Sequence, residues 1–416
     1  MDITSFAPLL TSQGWHFLQS LPPYGSEDPL TLATRLRANG HCPDLISAAL
    51  TQLRLRAKAE EKFGPFAQSM LFTPDAVEQA TRLSVAARHA QRFAQSGCTK
   101  VADAGCGIGG ESMALAGMDI PVLAIERDEA TAALATINLM PFPHAEVICD
   151  DALNVDYVAR GVDGLFSDPA RRSKGRRITD PESWQPALSQ VLALRKQVPN
   201  LGIKVAPGID YSALPEGSHV QWVSVAGDLL EADIWCGALA NEGPGRSALL
   251  IDREGRGSIL RDESVTDPST PPVMARPAND VGRFLFEPDD AVVRAGLVSY
   301  LGAHLGAAPV DAQIAYLTGD KDVPEQWEPF VQTFEILEVL PTTQKKIAAW
   351  VRSHDVGQVE IKKRGVDIDP TKVRKSLPLK GSESLTLIYT RLSKNPDMDP
   401  ATAPRGKSVV IAARRR

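Results

Sequence analysis

Cysteine is scarce in this 416-residue chain, and the five present (Cys42, Cys98, Cys106, Cys149 and Cys236) are scattered. No Cys-x-x-Cys pair and no Cys/His ligand spacing occurs, so neither a disulfide framework nor a zinc site is expected, and no metal is assigned. No apolar run approaches about 18 residues, which excludes a membrane-spanning helix. The first residues, Met1–Trp15, have an acid at Asp2 and no basic stretch, so a secretory signal is not expected. Together these absences read as a reduced, cytoplasmic protein. No internal repeat stands out. The seven histidines are dispersed and suggest no Ser/His/Asp set. A lone one, such as His89 or His219, reads as structural.

What is present is a globular composition, 43% hydrophobic, at a length that calls for two or three domains. The net charge of −6 hides an asymmetry. Lys345–Arg416 holds 17 Lys and Arg against 7 Asp and Glu, while the preceding residues hold 28 against 44. A basic end on an acidic body suits a polyanionic partner, or is a solvated surface with a basic tail.

The most informative stretch is Val101–Gly110, VADAGCGIGG. A short apolar strand ends in Asp103, a glycine turn follows (Gly105, Gly107, Gly109, Gly110), and a helix begins. Glycines let the backbone bend sharply and approach a ligand with no Cβ between. Gly105, Gly107 and Gly110 also fit the dinucleotide pattern G-x-G-x-x-G. Asp103 favours another ligand. A pyrophosphate wants amides and no carboxylate, whereas a cation wants the carboxylate. S-adenosylmethionine, with a sulfonium and an ammonium, fits that demand.

Residues 1–96 read as a helical region, with helices at 30–38, 43–63 and from Thr73-Pro74-Asp75 through Phe93. Strand-like and helix-like runs alternate over 97–263. Strands are expected at 100–104, 121–126, 145–149, 163–167, 201–206, 219–225 and 233–240, and helices at 110–117, 128–139 and 183–197. This rhythm predicts an α/β fold with a mostly parallel, Rossmann-like sheet and ligands at the carboxyl ends of its strands. Residues 264–280 read as a linker, since 264–279 hold four prolines without periodicity. A second α/β unit spans 281–394: a helix over 288–305, a strand at 334–339, a helix at 343–354, a strand at 359–362, a helix at 370–377 and a strand at 385–391. A basic tail, 395–416, carries a further strand at 408–412.

Three more acidic positions follow strands. Glu126 closes the second strand and is placed to accept hydrogen bonds from ribose hydroxyls, with Arg127 beside it. Asp150 and Asp151 follow the third strand, where an acid reaches an adenine amino group. Cys106 lies within the glycine turn and joins this cofactor set. Asp168-Pro169 closes the fourth strand, beside the place where a methyl group would leave. Asp168 is the expected acceptor-orienting residue, on a turn stiffened by Pro169. Ala170 and Arg171 stand where a second proline and an aromatic would complete an amine-methylating motif. Trp184 and Phe72 are candidates for the missing stacking partner. Arg171, Arg172, Lys174, Arg176 and Arg177 then form a basic cluster suited to nucleic-acid phosphates. Lys362, Lys363 and Arg364 form a second basic group, with Lys372, Arg374, Lys375 and Lys380 after it.

The runs VADAGCGIGGES, VLAIERDEATAALATIN, AEVICDDAL and GLFSDPARR resemble class I S-adenosylmethionine-dependent methyltransferases. The core is similar to the trimethylguanosine synthase pattern in Asp103, Cys106, Gly107, Gly109, Gly110, Glu126, Asp151 and the preceding Phe72-Thr73-Pro74. The likeness ends at the acceptor motif, so cap-guanine specificity is not implied. DPARR (168–172), FLFEPDDAVVRAGLV (284–298), IAYLTGD (314–320) and VEIKKRGVDIDP (359–370) resemble bacterial methyltransferases with a C-terminal THUMP-like domain. That resemblance implies a methyltransferase core, a THUMP-like end and RNA as partner. The expectation is thus an S-adenosylmethionine-dependent RNA base methyltransferase. A protein or small-molecule methyltransferase, or a non-catalytic RNA-binding protein on the same scaffold, are the alternatives.

Overall fold

A computed structural model describes residues 6–173 and 176–416, and all side chains in those ranges except at 172, 173, 176 and 177. The chain divides into two compact units, Met1–Ala206 with Asp233–Gly243, and Pro207–Ala232 with Pro244–Arg416.

The first unit opens with helices α1 (Ser12–Ser20), α2 (Pro29–Ala38), α3 (Pro43–Phe63), α4 (Pro74–Gln79) and α5 (Leu83–Gln95). Their starts follow local chemistry. Asp28 accepts from the Thr31 amide at 2.9 Å and Thr73 Oγ1 from the Ala76 amide at 3.1 Å, each ahead of a proline in the first turn. The single helix expected over 73–93 is two helices. The break at 80–82 presents the Ala80 carbonyl to Lys62 Nζ at 2.7 Å and the Thr81 hydroxyl to Lys204 Nζ at 2.8 Å.

Then come β1 (Val101–Ala104), α6 (Gly110–Ala116), β2 (Val122–Glu126), α7 (Glu129–Leu139), β3 (Ala145–Cys149), β4 (Gly164–Ser167), the short strands β5 (Arg172–Ser173) and β6 (Arg176–Arg177), α8 (Leu188–Ala193) and β7 (Asn200–Val205). The sheet order is β7-β4-β1-β2-β3, every pair parallel. Strands β1, β2, β4 and β7 are almost wholly buried, as expected of parallel strands covered on both faces. Strand β5 pairs antiparallel with β6. The helix expected over 183–197 starts only at Leu188, after Pro186, and its last turn, Leu194–Lys196, is a 3₁₀ turn. The excursion Asp233–Gly243 is tied to α5 by Arg92, whose guanidinium donates two 2.6 Å hydrogen bonds to Glu242 and stacks 4.9 Å from the Trp235 ring.

Strand β9 (Asp228–Trp235) begins in the second unit and ends in the first, stopping short of the expected 240. In the second unit, β8 (His219–Val225) runs parallel to β10 (Gly245–Ile251), and β11 (Gly257–Arg261) is antiparallel to β10. Residues 264–280 hold no helix or strand. They are fastened by Arg246 Nη1 donating to the Thr270 carbonyl at 2.7 Å and Ser299 Oγ to that of Val273 at 2.6 Å.

A seven-stranded sheet follows. Its elements are β12 (Phe284–Pro288), α9 (Asp290–Arg294), α10 (Val298–Leu305), β13 (Ala308–Asp311), β14 (Ile314–Gly319), β15 (Val331–Pro341), α11 (Gln344–Ser353), β16 (Val356–Lys363), α12 (Pro370–Ser376), β17 (Glu383–Leu392) and β18 (Lys407–Arg415). The order is β13-β14-β12-β15-β18-β17-β16, with only β16 and β17 parallel. The helix expected over 288–305 is two, because Gly296 turns the chain at φ 71°. Strands β12, β13 and β14 were not legible as strands.

Candidate active site

The site grows from the end of β1. Parallel register sets Asp103 between Ala124 of β2 and Phe166 of β4. Asp103 is 2% exposed, and Ser112 on α6 donates to its Oδ2 at 2.6 Å. Burial pushes the Asp103 carboxyl up to about 7 against the Ser112 hydrogen bond, and the charges of Glu111 and Asp168 push the same way. No ion pair to a cation forms at Asp103 among the described residues. A buried carboxylate in that state favours an incoming positive charge.

Above it the glycine turn takes left-handed backbone at Gly105 (φ 86°), Gly107 (φ 57°) and Gly109 (φ 88°). A side chain at Gly107 would meet nothing within 4 Å, and one at Gly105 only the Asp168 carbonyl at 3.9 Å. The turn is therefore glycine for conformation and faces open space, a cradle with room for a ligand. Gly109 differs, since its Cβ would press on Leu139 at 3.2 Å. The Gly105 and Cys106 amides both donate to the Ile125 carbonyl at 2.9 Å, locking the turn to β2. The Cys106 thiol is buried, and its burial and the acids nearby push its titration well up, so it is a packing group.

Glu126 lies across from the turn. Its carboxylate accepts from the Gly107 amide at 3.1 Å and the Asp128 amide at 2.9 Å. Arg127 is exposed and donates to Gln185 Oε1 at 3.1 Å. Asp150 and Asp151 are exposed beyond β3, with the Asp150 amide donating to the Glu126 carbonyl at 3.2 Å. One Asp151 oxygen accepts from the Leu153 amide at 2.9 Å, which fixes the carboxylate. The expected cofactor residues thus cluster at the carboxyl edge of β1, β2 and β3.

Asp168 follows β4, with Pro169 buried behind it. Ala170 exchanges two backbone hydrogen bonds with Gln185, at 2.8 and 3.1 Å, which anchors the turn. Asp168 Oδ2 is ion-paired with Lys204 Nζ, and Arg171 Nη2 stands 4.0 Å from Oδ1. Lys174 lies outside the described residues, as do the side chains of Arg172, Arg176 and Arg177. Neither proposed stacking residue serves that role: Trp184 is 3% exposed with its Nε1 bonded to the Ile178 carbonyl, and Phe72 is fully buried against Phe63.

In the second unit, Lys362 is ion-paired with Glu287, and Arg364 with Asp290 at 2.9 Å. Lys363 donates to the Ile368 carbonyl at 2.6 Å. Lys372, Arg374, Lys375 and Lys380 are exposed and form no ion pair among the described residues.

Three residues near the site make contacts that the sequence did not show. Lys204 is one. Asn138 on α7 is another: it accepts from the Leu71 amide at 2.7 Å and donates to the carbonyls of Leu71 at 3.0 Å and Ile108 at 2.9 Å. It joins the Phe72-Thr73-Pro74 segment to the glycine turn. His89, read as structural, is buried with Nδ1 3.0 Å from Glu111 and Nε2 3.2 Å from Asp233. Burial alone would lower its titration, but the two carboxylates outweigh it and raise it well above the imidazole range. The only signal for Asn138 was an amide among the apolar residues at the end of α7.

Comparison with known proteins shows the family of the chain. A family model described as THUMP domain-like matches residues 331–401, and a domain of unknown function matches residues 2–59. An uncharacterized S-adenosylmethionine-dependent methyltransferase of Mycobacterium tuberculosis is 34% identical over 367 residues, spanning 86% of this chain and 95% of the relative. The crystal structure of a putative methyltransferase from Porphyromonas gingivalis has the same fold, with a TM-score of 0.73 at 18% identity over 99% of this chain and 98% of that one. The chain belongs to the S-adenosylmethionine-dependent methyltransferases and carries a THUMP-like segment at its C-terminal end.

Proposed function

We propose that the protein methylates a base of RNA, tRNA or rRNA, with S-adenosylmethionine as donor. When bound, that cofactor supplies an electrophilic methyl group on a sulfonium. Asp103 and the Gly105–Gly109 turn hold its cationic end, Glu126 the ribose and Asp151 the adenine. Asp168 accepts a hydrogen bond from the acceptor amine and fixes its nitrogen lone pair toward the methyl group. Little acid–base chemistry is needed, because orientation supplies most of the acceleration. The proton of the methylated amine leaves to solvent.

The observation that carries this reading is the position of Asp168. Its carboxylate is partly exposed, and its carbonyl lies 3.9 Å from the space over Gly105. The RNA part rests on the THUMP-like match and on the exposed cations Lys372, Arg374, Lys375 and Lys380 in that segment. The test is to incubate the protein with methyl-labelled S-adenosylmethionine and a lysate from a strain lacking the gene, then to separate RNA, protein and small molecules. Label in RNA is expected. Label confined to protein or small molecules overturns the RNA reading.

A further inference from the structure

Lys204 stands out as a charge the cofactor pocket does not use. The β4–β7 register pairs Ser167 with Ile203, so the next residue on each strand comes side by side, Asp168 and Lys204. The Lys204 side chain is only 4% exposed. A buried ammonium needs partners that hold it. It has the Asp168 Oδ2 oxygen and the Thr81 hydroxyl at 2.8 Å. Asp168 is more open, at 33% side-chain exposure, and among the described residues its other oxygen has Arg171 Nη2 at 4.0 Å, beyond hydrogen-bond reach. On that same guanidinium, Arg171 Nη1 is buried with no hydrogen-bond partner among the described residues. An orphaned guanidinium nitrogen near an open carboxylate oxygen marks a place where a ligand completes the hydrogen bonding.

We propose that Lys204 is a positioning residue for methyl transfer. It anchors Asp168 through one oxygen, which leaves the other turned to the acceptor amine and keeps the carboxylate from closing onto Arg171. Thr81, in the break between α4 and α5, sets the ammonium in place. Without Lys204 the carboxylate swings to the guanidinium, and the acceptor loses its partner. The inference rests on the reading of Asp168 as the acceptor-orienting group.

The test compares Lys204→Met, Lys204→Arg, Asp168→Asn and the Lys204→Met/Asp168→Asn double variant. Methyl transfer is followed from labelled S-adenosylmethionine into whichever lysate fraction the wild type labels. S-adenosylhomocysteine binding is measured alongside by calorimetry. Lys204→Met should lower kcat on the order of 100-fold, the scale of a small misplacement of a reacting group. Its affinity for S-adenosylhomocysteine should stay within about 3-fold of wild type, and Lys204→Arg should recover part of the rate. In the Asp168→Asn background the lysine change should add nothing. Wild-type kcat in Lys204→Met, or an equal fall in both backgrounds, overturns the role of Lys204. Wild-type transfer by Asp168→Asn overturns the reading of Asp168 itself. If Lys204→Met does not fold, Thr81→Val removes the anchor alone, and an unchanged kcat there overturns the proposal. A wild type that binds S-adenosylhomocysteine and labels no fraction overturns both.

Discussion

Ser112 donates its hydroxyl hydrogen to Asp103 at 2.6 Å, and no cation pairs with that buried carboxylate among the described residues. Burial holds the carboxyl near 7 in spite of that hydrogen bond, half protonated at neutral pH, until a positive ligand arrives. Because its folded value is raised, Asp103 favours the unliganded fold most below its unfolded value and loses that contribution as pH rises through about 7. A cationic ligand prefers the ionised form. Affinity for S-adenosylmethionine should therefore rise ~10-fold between pH 6 and pH 8, following the ionised fraction. Calorimetry across that range checks it, and Asp103→Asn should be weaker throughout and flat. A wild-type affinity that ignores pH contradicts this account of the carboxylate.

Asn138 joins two segments far apart in sequence, so its loss should be felt in both. Asn138→Leu leaves the Leu71 amide and two carbonyls without partners. The cost should be about 2–3 kcal/mol of stability, read by denaturant unfolding. Cofactor binding should weaken as well, because the Ile108 carbonyl belongs to the glycine turn. Unchanged unfolding would show that the bridge contributes nothing.

His89 should contribute stability with the opposite sign from an ordinary acid. Its folded value is raised, so the contribution is complete below the unfolded value near 6.5 and is lost as pH climbs through the folded one. The stability gap between wild type and His89→Gln should be wide at pH 6 and narrow at strongly alkaline pH. Chemical unfolding at several pH values measures it, and a gap that widens with pH contradicts the pairing with Glu111 and Asp233.

The two groups of cations in the C-terminal segment should separate by phenotype. Neutralising Lys372, Arg374, Lys375 and Lys380 should weaken RNA binding and flatten its dependence on salt by roughly 0.7 per lost phosphate contact in a log–log plot. Neutralising Lys362 and Arg364 should instead lower stability, since each leaves Glu287 or Asp290 unpaired. Filter binding at graded salt, beside thermal unfolding, distinguishes the two. Equal salt slopes in all variants would remove these cations from the RNA surface.

What sequence could reveal here followed the range of the forces involved. The strand–turn–helix around Gly105 and Gly107 is local, fixed by backbone conformations that glycine tolerates, and so it was readable. Glu126 and Asp151 were readable because parallel strands place their carboxyl ends on one edge. Lys204 was not. Its pairing with Asp168 comes from the β4–β7 register, and 36 residues separate the two along the chain. Nor was the break at 80–82, which exists because distant lysines hold its carbonyl and hydroxyl groups. The cations at Lys362 and Arg364 looked like a binding face until their acids appeared on β12 and α9. The buried state of Trp184 was equally hidden, since an aromatic in a polar stretch gives no sign of which way it faces.

The most direct test of the whole account is transfer of labelled methyl from S-adenosylmethionine into total RNA of a strain lacking the gene, by wild type and by Asp168→Ala. The account predicts label in RNA with the wild type, recovered as a methylated base after digestion, and at least ~100-fold less with Asp168→Ala at unchanged cofactor affinity. No label in RNA, or equal label from both proteins, would contradict it.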